Sequence, residues 1–217
     1  TMKTFILTFF TLFISIQSFS QVEEIQYQNL EYRMIGPFRA GRTVGAVGIP
    51  SQPNVFFIGV NNGGVWKTDD YGRTWNPIFD KVSTGSIGDL AVSPSHPNII
   101  YANEMRGVFK SIDGGKTWKK TLFINSKTSA IQVHLDPNNS HIVFATLWEH
   151  QEGPWENAKF SGNNSGLFKS TDGGETWKRI TKGLPEASDG LGRVWVTTSL
   201  SNSQRMYAIV SARNKGG

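Results

Sequence analysis

The sequence predicts an all-β fold: a β-propeller fragment of three four-stranded antiparallel blades plus the start of a fourth. Three observations carry this. An octet recurs as TDDYGRTW (68–75), SIDGGKTW (111–118) and STDGGETW (170–177). Each octet follows Gly, an aliphatic residue, an aromatic residue and Lys, and upstream lie two apolar runs flanking a Pro- or Asn-rich turn. The units begin at Thr43, Ser86, Ser129 and Gly192, in steps of 43, 43 and 63 residues. A period near 43 with strand–turn–strand character is that of a propeller blade.

The elements follow in order. Residues 1–20 read as a secretory signal peptide: Lys3 gives a positive start, an apolar run covers 5–16, and Ser18 and Ser20 precede a cut before Gln21. A secreted, periplasmic or cell-envelope location is therefore expected. The run is too short for a membrane span, which needs ~20 apolar residues. Residues 21–42 form an N-terminal segment in which 26–34 reads as a spare strand able to close the last blade of a complete propeller. In the first blade, strands are expected at 43–49, 55–60, 65–68 and 74–79. The turns between them carry Pro53-Asn54, Asn61 to Gly64, and Asp70 to Arg73. The partial propeller covers 43–217, with blades at about 43–85, 86–128, 129–191 and 192–217. Its last copy stops half-way, so an N-terminal piece of a longer protein is expected.

Composition narrows the chemistry. The chain has 23 Gly, 9 Pro and 7 Trp but no Cys, which excludes disulfide scaffolds, zinc fingers, iron–sulfur sites and cysteine nucleophiles. The net charge of +5 is spread along the chain, so nucleic acid is not an expected partner. His96, His134, His141 and His150 lack metal-ligand spacing, and neither metal nor cofactor is expected. Gly114-Gly115-Lys116-Thr117 resembles the end of a phosphate-binding loop. That loop needs Gly where Lys110 stands and a helix afterwards.

The octet reads as structural. Asp70, Asp113 and Asp172 are expected to accept hydrogen bonds from amides one or two residues on. Gly72, Gly115 and Gly174 supply positive φ at the turn, and Trp75, Trp118 and Trp177 bury their rings between neighbouring sheets. A carboxylate repeated once per blade cannot converge with its copies on one substrate. No catalytic residue is assigned.

With these residues in view, the octet is similar to the Asp-box, or BNR repeat, of sialidases, the sortilin/Vps10 domain and family 74 xyloglucanases. The stretches IGPFRAGR (35–42) and NNGGVWKT (61–68) resemble more closely the large secreted bacterial proteins with a sortilin-like propeller, often labelled glycosyl hydrolase. The resemblance implies a peptide, protein or glycan ligand on the top face or in the tunnel, together with contact to the rest of its own propeller. It also implies an alternative, hydrolysis of xyloglucan or a related polysaccharide. Inverting hydrolysis needs two carboxylates ~6.5–9.5 Å apart. The position of one catalytic Asp of the family 74 enzymes is Asn61 here, and an amide is no general base. Whether the chain is an enzyme stays open on this reading.

Strand order suggests where a ligand would sit. In an up-and-down blade the octets and Pro-Asn turns share one face, and the other connections share the opposite, top face. The one long insertion, 149–165, lies on that top face. It follows Trp148 and carries Trp155 and Phe160, which suit stacking on a sugar or peptide. The alternative is that these rings pack the loop onto its neighbours. Arg42 and Arg193, each after a Gly at the start of an innermost strand, point toward the tunnel mouth. Trp148, Trp155, Phe160, Arg42, Arg193 and Asn61 are the ligand-binding candidates.

Overall fold

Short runs with buried alternate residues, punctuated by turn glycines, form four antiparallel sheets with strands in sequence order. The first holds β1 (Arg42–Ile49), β2 (Gln52–Asn61), β3 (Gly64–Thr68) and β4 (Asn76–Pro77). The second holds β5 (Ile87–Val92), β6 (Ile100–Glu104), β7 (Gly107–Ser111) and β8 (Lys119–Leu122). The third holds β9 (Thr128–Leu135), β10 (Val143–Glu149), β11 (Gly166–Ser170) and β12 (Lys178–Ile180). The pair β13 (Leu191–Thr198) and β14 (Met206–Ala212) makes the fourth. This is a computed structural model that describes residues 41–151 and 158–213, all within the unit 40–217. The leader, the segment 21–40, Trp155 and the last four residues lie outside the described residues.

Two strands of the first blade differ from expectation by more than one residue. β2 begins at Gln52 because Ile49 pairs directly with Gln52 across a tight turn, so Pro53 and Asn54 belong to the strand. The fourth strand of the first blade shrinks to Asn76–Pro77. The Thr74 amide and hydroxyl are both taken by Asp70, and Pro77 has no amide to donate. The tight connection after β6 is an ordinary hairpin: Glu104 pairs with Gly107 across Met105 and Arg106.

The cores lie between neighbouring sheets. Phe57, Val65 and Phe79 of the first blade pack with Ile87, Leu90 and Phe109 of the second. Tyr101, Val108 and Leu122 pack with Val133, Val143 and Phe168, and Phe144 and Leu167 pack with Val194 and Val196. Burying apolar area from both partners makes each blade depend on its neighbour, as in stacked repeats.

Each innermost strand carries a β-bulge, at 43–45, 87–89, 130–132 and 191–194. A bulge re-aims the following side chain. At one end of the sheets the octets meet the turns between first and second strands. The Tyr71, Gly114 and Gly173 amides donate to the carbonyls of Asn54, Asn98 and His141 at 3.1, 3.0 and 2.8 Å. The opposite end is left for the starts of the innermost strands and the ends of the second strands.

Candidate functional site

The octet geometry is the same in all three copies. The Asp70 carboxylate accepts the Thr74 amide at 2.9 Å, the Thr74 hydroxyl at 2.7 Å and the Thr68 hydroxyl at 2.8 Å. Asp113 does so with Thr117 and Ser111, and Asp172 with Thr176 and Ser170. The expected one- or two-residue reach is replaced by a four-residue reach. The nearer amides go instead to the opening Ser or Thr: Thr68 Oγ1 accepts Asp70 at 3.3 Å and Gly72 at 2.9 Å. The Thr74 amide first, then its hydroxyl, lowers Asp70 to about 2. The Thr117 hydroxyl and amide lower Asp113 to about 2, and those of Thr176 hold Asp172 well below the usual carboxylate range. Such carboxylates stay ionised and are engaged within their own octets.

The glycines and tryptophans of the second and third octets sit at the blade junctions, whereas Gly72 and Trp75 meet no preceding blade among the described residues. Gly115 has φ +92, and a Cβ there would lie 2.5 Å from Cδ1 of Ile78 in the preceding blade. The Trp118 indole donates to the carbonyls of Ile78 at 2.8 Å and Gly115 at 3.1 Å. Trp177 and Trp75 donate to Gly174 at 3.0 Å and Gly72 at 3.1 Å. All three rings are half-buried, because each N–H must reach a carbonyl at a surface turn.

At the opposite end, a cleft of 620 Å³ opens where the innermost strands begin. Arg42 comes from β1, Ser129 from β9, and Arg193 and Trp195 from β13; Asn61 and Trp148 enter from β2 and β10. Four of the sequence candidates, Arg42, Asn61, Trp148 and Arg193, are thus brought to one space. The Asn61 side-chain oxygen accepts the Ser86 hydroxyl at 2.6 Å, which orients its amide. Trp148 is only 5% exposed and stacks on His150 at 3.9 Å. Its indole donates to the Phe160 carbonyl at 2.7 Å. The Arg193 guanidinium carbon stands 4.1 Å from the Trp148 ring. Trp148 therefore supports Arg193 and the loop rather than offering a free stacking face. Phe160, 56% exposed, packs 6.1 Å from Trp148 and does not line the cleft.

Several residues escaped the sequence reading. Trp195, 48% exposed, shares the face of Arg193 two residues on, and period-two alternation along β13 was the available signal. Asp89 and Gln132 follow the bulges of β5 and β9 and reach the next blade. Asp89 Oδ2 accepts the Val133 amide at 3.1 Å, and the Gln132 amide exchanges two 2.7 Å bonds with the Val196 backbone. Burial raises Asp89 to about 6 even though two amides hold it down. No local pattern marks them, because their partners lie 44 and 64 residues away.

Glu104 and Glu149 each close a second strand, as Asn61 does in the first blade. Glu104 is fully buried and accepts the Thr84 hydroxyl and the Arg106 amide. Glu149 accepts the backbone and side-chain amides of Asn164 at 3.0 and 2.9 Å. Both carboxylates hold turns together. Among the described residues, no group of three or more His, Asp and Glu is placed to hold a metal ion. No described helix is long and apolar enough to cross a membrane.

Repeated four-stranded sheets, Asp-box turns at one end and a cleft at the other define an Asp-box β-propeller. The family model described as sortilin, neurotensin receptor 3 matches residues 63–215, and the chain belongs to this Sortilin-Vps10 family. No curated protein matches the chain. Among solved structures it is similar to an ancestral family 74 glycoside hydrolase, with a TM-score of 0.65 and 22% identity over 81% of this chain and 22% of that one. The family 74 enzyme of Niastella koreensis gives 0.60 and 26% over 78% and 25%. The family 74 xyloglucanase of Xanthomonas campestris gives 0.58 and 19% over 75% and 26%. The chain spans about a quarter of the length of these enzymes.

Proposed function

We propose that the chain is part of a secreted binding propeller, and that a peptide, protein or glycan occupies the cleft at the mouth of its innermost strands. The observation that supports this most is the lining. Two arginines, a half-exposed tryptophan and the amides of Asn61 and Asn62 meet there, and no carboxylate lines it among the described residues. A guanidinium fork suits carboxylate or sulfate oxygens, and an indole suits a sugar face or an apolar side chain. Ligands bearing negative charge are favoured.

The test is calorimetric titration of the chain with a peptide library and with neutral and acidic oligosaccharides. Arg193→Ala should weaken the class that binds about tenfold, the scale of one lost charge-assisted hydrogen bond. No saturable binding, or affinity unchanged in both Arg42→Ala and Arg193→Ala, overturns the reading. Export belongs to the same proposal: expression in a bacterial host should yield a mature chain starting at Gln21, read by mass spectrometry.

Xyloglucan hydrolysis is the second reading, favoured by the backbone likeness to the Niastella koreensis enzyme. Asn61 stands against it, since a neutral amide cannot take a proton from water. Reducing-sugar release from xyloglucan by the unaltered chain would support hydrolysis over binding alone.

A further inference from the structure

A second space adjoins the cleft at the same end of the sheets. It measures 390 Å³ and shares Met105, Ser129 and His150 with the cleft as walls. Its own cations are Arg106, in the two-residue connection between β6 and β7, and Lys127, just before β9. Both side chains are exposed, and the backbone beneath each is fixed. The buried Glu104 carboxylate accepts the Arg106 amide at 2.7 Å. The Asn125 side-chain oxygen accepts the Lys127 amide at 2.8 Å, and the Lys127 carbonyl accepts the His150 amide at 3.3 Å. His150 is itself held by stacking on Trp148.

Arg42 and Arg193 line one space, and Arg106 and Lys127 line the other. None of the four has an ion-pair partner among the described residues. Elsewhere the chain neutralises closely set cations: Lys110 and Lys119 share Glu175 at 2.7 and 2.9 Å. Here the only carboxylate lining either space, among the described residues, is that of Glu104. It is fully buried, and its oxygens accept the Arg106 amide and the Thr84 hydroxyl. Positive potential is thus left open to solvent along both spaces. The rest of the second lining is neutral and hydrogen-bonding, with Thr84, Ser126, Ser129 and Gln151, and Met105 alone is apolar. Such a wall suits hydroxyls and carboxylates and offers no apolar recess for a peptide side chain.

The geometry points to an acidic polysaccharide, with a uronate carboxylate on successive sugars, as the ligand that spans both spaces. Arg42 and Arg193 hold carboxylates in the cleft, and Arg106 and Lys127 hold those in the second space. Trp195 offers its indole to a sugar ring between hydrogen-bonding groups. Because this ligand class rests on the cleft being a binding site, its test compares ligand lengths rather than binding alone.

The experiment is calorimetry of the full chain with digalacturonate, hexagalacturonate and hexaglutamate at low salt. The galacturonate hexamer, which can enter both spaces at once, should bind about tenfold more tightly than the dimer. Added salt should shrink the difference. Arg106→Ala combined with Lys127→Ala should erase that gain, and both backbone amides remain to hold their turns. Lys178→Ala combined with Lys182→Ala removes two exposed charges outside both spaces and should keep the gain, which general charge attraction would not do. Equal affinities of the two lengths, a gain that survives the first pair of substitutions, or one that falls equally with the second overturns the polysaccharide assignment, while Arg193→Ala still reports on the cleft. Binding of hexaglutamate but of neither galacturonate assigns the cleft to an acidic peptide and overturns it as well. No binding of either galacturonate up to millimolar concentration also overturns it, and the cleft reading falls with it only if the wider library fails to bind.

Discussion

Tyr101→Phe tests the claim that blades are held by individual buried bonds between repeats. Tyr101 is 1% exposed, and its hydroxyl donates to the Gly173 carbonyl at 2.8 Å across the junction of the second and third blades. Gly173 is itself buried. The substitution keeps the ring, which packs against Gly174, and removes only the donor. It leaves a buried carbonyl without that partner, which costs about 1–3 kcal/mol. Phe57 occupies the matching place in the first blade, so a phenyl ring is compatible with the site. Urea unfolding of the full chain, followed by tryptophan fluorescence, should show a lower midpoint at unchanged slope. Tyr207→Phe, on an exposed side chain, should stay within about 0.5 kcal/mol of the parent. Burial first, then the charges of Glu175 and Asp172, raise the Tyr101 phenol to about 12. Between pH 10 and 12 the folded state then holds a proton the unfolded state has released. Parent stability falls across that window, and its lead over Tyr101→Phe narrows. Equal midpoints at neutral pH, or an equal drop in Tyr207→Phe, would refute the reasoning.

Three further outcomes follow from particular residues. Tyr71 has φ 62 where the other octets have Gly114 and Gly173, so Tyr71→Gly should raise stability by about 0.5–1 kcal/mol in the same assay, strain relief exceeding the added chain entropy. Asp89, raised to about 6, keeps its proton longer in the folded state. Its contribution therefore makes stability fall as pH rises from about 4 to 6, and Asp89→Asn should flatten the pH dependence of the unfolding midpoint over that window. Asp113, lowered to about 2, acts with the opposite sign. Its contribution is present above about pH 4 and lost as pH falls toward 2, so Asp113→Ala should unfold at a higher pH in an acid titration monitored by circular dichroism.

The sequence by itself determined the repeat and its turns. Each octet closes on its own residues: Ser111, Asp113, Gly115 and Thr117 find one another within a few positions, so three copies of a short pattern suffice to place blade after blade. The same locality made the tunnel-end candidates Arg42, Asn61 and Arg193 legible, because strand order decides which ends of which strands share a face. Tertiary structure decided what those residues meet. Trp148 looked like a stacking surface for a ligand, yet packing against His150, Phe160 and Arg193 buries it. Trp195, two residues beyond Arg193, is the aromatic left half-exposed in the cleft. The bonds between blades, from Tyr101 to Gly173, Asp89 to Val133 and Gln132 to Val196, join residues 44 to 72 positions apart. No local pattern encodes such pairs. They exist only once the sheets have packed together, with the β5 and β9 bulges turning Asp89 and Gln132 toward the next blade, and burial there comes first among the causes that shift the protonation of Asp89 and Tyr101.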